Sequence, residues 1–180
     1  MDEMIISEAG EKELKVIRQQ GAANNEMMGA TVSSGTGCTG NVVLITPKSY
    51  IVSNIGDSRS VLCKGSKAVP LSFDHKPESA EEEKRIINAG GSITMGRVNG
   101  GLNLSRSFGD FDYKQNKQLN YEQQMITCHP DVKLFDRSNE DEFIIMGCDG
   151  IWERYVDDNQ GMVSKLKPQV DSTKESPKIM

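Results

Sequence analysis

Three short apolar runs rich in β-branched residues follow one another between Asn41 and Cys63: NVVLIT, SYIVSNI and SVLC. Pro47-Lys48 separates the first two, and Asn54-Ile55-Gly56-Asp57-Ser58-Arg59 makes a turn into the third. Short strands this closely spaced predict a meander in an antiparallel sheet. DVKLF and EFIIMGC return to strand character later in the chain, and the second reads as fully buried.

Helices punctuate this pattern. Glu11 to Gln20 favours helix, with Leu14 and Ile17 on one face. Ser79 followed by Glu82, with Pro77 upstream, has the form of a capping box. Glu81 and Arg85 are spaced to pair, Ile86, Ile87 and Ala89 supply apolar contacts, and Gly90-Gly91 ends the helix. Residues Gly21 to Gly40 read as a loop, and Met95 to Gln123 is a polar, Gly-rich stretch too long for a simple connection. Past Met162 the apolar content falls, so 164–180 is expected to fray.

Composition narrows the function. The 180 residues are 36% hydrophobic and 26% charged, ordinary for a globular chain with a sizeable core. A net charge of -5 argues against non-specific nucleic-acid binding, which needs a basic face. No apolar run approaches the roughly 18 residues of a membrane helix, and MDEMIISEAG is acidic where a secretory signal is basic. Cys38, Cys63, Cys128 and Cys148 form no close pair, and His75 and His129 are not spaced to complete a zinc site. Free thiols, with Cys63 and Cys148 buried, in the cytoplasm or nucleus are the expectation.

The sharpest chemical feature is FIIMGCDGIWE, residues 143–153. An apolar strand delivers Asp149 to its end, and Gly150 lets the backbone turn at once. Such a carboxylate suits magnesium or manganese, which prefer oxygen ligands. The same segment equally suits an ordinary Asp-Gly hairpin turn. Glu153 could join a metal cluster or cap a helix. Asp74 in SFDHKP forms a plausible metal pair with His75, and is as good a turn starter. Asp110-Phe111-Asp112 is another acidic candidate, and Arg106 before it could bind phosphate or tie down a carboxylate.

Other chemistries fail on their own requirements. Cys148 and Arg154 have the spacing of a cysteine-dependent phosphatase loop, but Asp149 and Glu153 between them would repel a phosphate dianion. SSGTGCTGN has glycines without the Lys-Ser or Lys-Thr pair of a nucleotide loop. Neither histidine lies in a nucleophile-elbow context.

Taken in order, SGTGCTGNVVLI, NIGDSR, FDHKP, EEEKRIINAGG, GRVNGGLNLSRSFGDFDYK, HPDV and MGCDGIWE resemble the PPM (PP2C) family of metal-dependent serine/threonine protein phosphatases over about residues 35–160. The resemblance implies an α+β fold: an α/β/β/α sandwich of two antiparallel sheets flanked by helices, with a partial domain over 1–163. It implies a binuclear magnesium or manganese centre with Asp149 as a ligand, and Asp74 and Glu153 at positions of a weaker third metal. The family usually has aspartate where Glu153 stands. No side chain acts as nucleophile; a metal-activated water attacks the phosphorus of phosphoserine or phosphothreonine in protein substrates. Met95 to Gln123 matches the flap beside the cleft, so Arg106 is a candidate substrate contact, although Asp57 and Arg106 match positions read as mainly structural.

Two family segments have no counterpart, an Asp-Gly-His-Gly-Gly motif and a late Asp-Asn motif, so the sandwich is expected to be incomplete at both ends. The alternative this raises is a catalytically inactive, phosphatase-like binding or scaffold protein.

Overall fold

A computed structural model describes residues 1–22, 35–155 and 158–174. The chain opens with α1 (Asp2–Ile5), α2 (Glu8–Ala22) and β1 (Gly37–Cys38). Next come β2 (Gly40–Ile45), β3 (Ser49–Ile55), β4 (Arg59–Lys64), β5 (Lys67–Pro70) and α3 (Ala80–Asn88). After it lie β6 (Ile93–Thr94), β7 (Arg97–Val98) and β8 (Phe108–Gly109). The last elements are β9 (Asp131–Asp136), β10 (Asp141–Gly147), α4 (Asp149–Tyr155) and α5 (Asn159–Lys174). These form two compact units, Met1–Gly40 with His75–His129, and Asn41–Asp74 with Pro130–Met180. Of the loop expected from Gly21 to Gly40, the first two residues close α2 and Gly37–Cys38 form β1, while 23–34, like the tail end at 175–180, lie outside the described residues.

The second unit carries the expected meander. Its sheets have the orders β2-β3-β9 and β10-β4-β5, with antiparallel pairing of β3 to β9, β4 to β5 and β4 to β10. Alternation along the strands decides what each face buries. Tyr50 and Val52 meet Leu62 and Leu71 between the sheets, joined by Val43, Val69, Phe135 and Ile144. Val61 and Cys63, the alternate residues of β4, instead pack against Trp152, Met162 and Val163 from α4 and α5. A central strand covered on both faces reads as a continuous apolar run, which is what SVLC is.

β10 differs from the fully buried strand expected of EFIIMGC. It is an edge strand of its sheet, most of its residues are half-buried, and Met146 is 47% exposed. α5 is a second difference. The segment read as a frayed tail past Met162 is helical to Lys174, with Pro168 inside it. Met162, Val163 and Leu166 supply the apolar contact, and Gln160 brackets the β4–β5 turn by accepting from Ala68 N–H (2.9 Å) and donating to Ser66 O (3.0 Å). Few apolar residues suffice because they share one face.

In the first unit, Ile86, Val98 and Ile126 form the core, with Ile93, Leu102, Tyr113 and Met125 around them. The stretch from Met95 to Gln123 therefore contributes packing as well as loop. Gly37 pairs with Gly109 across β1 and β8. A Cβ on Gly109 would lie 2.3 Å from Thr36 O, and its φ of +72° also favours glycine. Ser79 is the N-cap of α3 but makes no side-chain cap bond. Glu82, expected to close that capping box, turns inward to Arg106 and Arg85 instead. The intrahelical pair is accordingly Glu82–Arg85 at i,i+3, where Glu81–Arg85 was expected.

Candidate functional site

Asp149 stands where an apolar strand ends and a helix begins. Gly147, the last residue of β10, pairs with Arg59, the first of β4. A Cβ on Gly147 would come 3.1 Å from Ile151, so glycine there lets α4 fold back close to the strand. Trp152 pins this return by donating its indole N–H to Gly147 O at 2.8 Å. Asp149 itself is half-buried, and its Oδ1 accepts the Gly150 N–H at 2.7 Å. Cys148 is exposed beside it, contrary to the buried thiol expected, because it lies past the end of the strand. Cys63, within β4, is fully buried.

The other carboxylates of the candidate set gather around an arginine. Arg59 donates Nε–H to Asp74 Oδ1 and Nη2–H to Asp74 Oδ2, both at 2.8 Å, a bidentate fork. Its Nη1 donates to Asn159 Oδ1 at 2.7 Å, and the guanidinium lies 5.3 Å from the Trp152 ring centroid. The hydrogen bond to Asp74 chiefly, with the charges of Asp74 and Glu153, outweighs burial and raises the Arg59 pKa above its ordinary value. Glu153 is exposed, one helical turn after Asp149. Neither Arg59 nor Asn159 stands out from the sequence as a site residue. Arg59 is visible only as part of NIGDSR, and its partners are distant along the chain.

Arg106 belongs to the first unit, where it is an internal anchor. It is 8% exposed, its Nη2 reaches Glu82 Oε1 at 2.6 Å, and its Nη1 donates to His129 O at 3.0 Å. Burial pushes the Glu82 carboxyl up, but hydrogen bonds from Arg106, Arg85 and Ser105 outweigh it and bring the pKa to about 2. Asp110 is buried with φ of 49° and accepts the Ser107 hydroxyl at 2.6 Å. Asp57 is buried as well.

Magnesium or manganese would need several oxygen donors around one point. Among the described residues, no three histidine, cysteine, aspartate or glutamate side chains are grouped to hold a metal ion. Of the three candidate ligands, Asp74 has both oxygens engaged by Arg59.

The family described as Protein phosphatase 2C matches residues 2–177 of this sequence. The chain belongs to that family. The match runs well past Val163, so α5 falls within it. Probable protein phosphatase 2C 3 of Paramecium tetraurelia is 46% identical over 153 residues, covering 85% of this chain and 48% of the relative. Protein phosphatase ppm-1.G of Caenorhabditis elegans is 57% identical over 117 residues, 65% of this chain and 24% of that protein. The chain thus spans about half the length of the Paramecium relative. Among solved structures, a phosphatase from a pathogenic strain of Toxoplasma gondii is 36% identical, with a TM-score of 0.62 over 70% of this chain and 39% of that one. The α+β architecture of antiparallel sheets and helices is the fold of this family.

Proposed function

We propose that the protein carrying this sequence hydrolyses phosphoserine and phosphothreonine esters in protein substrates, dependent on magnesium or manganese. The observation that carries the reading is the family match over residues 2–177, within which CDGIWE forms the strand-to-helix turn that begins α4 at Asp149. Asp149 is the residue we assign to cation binding, since a hard carboxylate at a glycine turn suits such an ion. The described residues do not complete a metal centre, so the reading rests on the motif and the family.

Relatives named as protein phosphatases lend no support to the alternative of an inactive scaffold. Among the described residues no helix is long and apolar enough to cross a membrane. The four free cysteines support a reducing compartment, and we place the protein in the cytoplasm or nucleus.

The test is turnover of a phosphothreonine peptide by the full-length protein, with manganese, without it, and with a chelator. Turnover should require the cation and be lost in Asp149→Ala. Turnover without metal, or turnover abolished by Cys148→Ser but retained in Asp149→Ala, would sink the reading.

A further inference from the structure

We propose that Arg59 is the resident cation at Asp74, holding it as an ion-pair anchor that a divalent metal does not reach. This goes beyond the proposed function, which needs a cation only at Asp149.

Geometry is the first support. All three guanidinium nitrogens of Arg59 are engaged, two by Asp74 and one by Asn159. A metal bound to Asp74 would have to displace two charge-assisted hydrogen bonds in a fork whose planes match. The side chains are sheltered, 26% exposed for Arg59 and 13% for Asp74, so water screens the pair less than it would on an open surface.

Charge is the second. Arg59 already supplies a full positive charge to the two carboxylates that act on it, Asp74 and Glu153. A divalent ion added beside the guanidinium would meet like-charge repulsion at close range. Removing the guanidinium reverses this, leaving Asp74 with neither partner nor competitor.

Connectivity is the third. Arg59 opens β4, Asp74 follows β5, Trp152 belongs to α4 and Asn159 begins α5. One side chain thus joins the strand to both helices, and Trp152 in turn fixes the turn that bears Asp149. Arg59 is a positioning residue for that turn.

The experiment is a manganese titration of the 180-residue chain, followed by water proton relaxation, in four forms: unmodified, Asp74→Asn, Arg59→Gln, and the double substitution. Asp74→Asn alone should leave manganese affinity within about twofold, whereas Arg59→Gln should raise it by about tenfold or more, as expected for removing a neighbouring positive charge. The double substitution should return to the unmodified level. A loss of about tenfold in Asp74→Asn, or a folded Arg59→Gln (checked by circular dichroism) that gains no manganese binding, would overturn the proposal. A purely structural arginine predicts the second of these. If Arg59→Gln does not fold, the unmodified chain against Asp74→Asn still decides.

Discussion

Glu82 is 3% exposed and held between two arginines, so its charge is maintained by its partners. Its folded pKa of about 2 lies below the ordinary value of 4.5. A depressed carboxyl contributes stability that is present above the unfolded pKa and lost as pH falls through the folded one. Stability should therefore decline from about pH 5 towards pH 2, by up to roughly 3 kcal/mol for this group. Glu82→Gln should flatten that acid limb and cost roughly 3–5 kcal/mol at neutral pH, because Arg106 is left buried without its partner. Urea denaturation at pH 7, 5 and 3 measures both; an unchanged acid limb would refute the assignment. Asp149 should behave differently. Half-buried and bonded to its own neighbouring amide, it should tolerate Asp149→Asn in this chain with a change under about 1 kcal/mol. Local spacing does not determine where the Glu82 carboxylate goes. Ser79 and Glu82 have capping-box spacing, but Arg106, a tertiary partner, competes for the same carboxylate and wins by burial.

Strands were the legible elements. NVVLIT, SYIVSNI, SVLC and DVKLF all fold as expected, because alternation records which residues a sheet buries. α5 was not legible. It contains Pro168, which removes a helical hydrogen bond, and its apolar face is only Met162, Val163 and Leu166. The packing that stabilises it comes from Trp152 just before it and from β4, far away in sequence. Met162→Ala should destabilise the chain by about 2–5 kcal/mol, the usual cost of truncating a buried side chain. Lys165→Ala, at an exposed position, should stay within about 0.5 kcal/mol. Equal, small effects of the two in thermal or urea unfolding would show that 159–174 does not pack as a helix.

The partition of the whole chain could not be read from sequence, because each unit is assembled from separated segments and no linker composition marks the crossings. The polar stretch from Met95 to Gln123 reads as a flap, yet Val98 within it is fully buried. Within the second unit, one face of the β2-β3-β9 sheet packs Tyr50, Val52 and Phe135. The other turns outward: Leu134 lies opposite Ile51 and Val132 opposite Ser53, with Val132 63% and Leu134 67% exposed. Val42 and Leu44 of β2 are similarly exposed. A patch of this kind, on a sheet whose outer strands have no further strand partner among the described residues, favours association between chains. Sedimentation velocity of the 180-residue chain should show concentration-dependent association, and an apolar dye should bind it. Leu134→Lys, which places a charge in the patch on edge strand β9 without touching the core, should reduce both and leave the unfolding midpoint nearly unchanged. A monomeric chain that binds no dye would mean that this face is not exposed in solution.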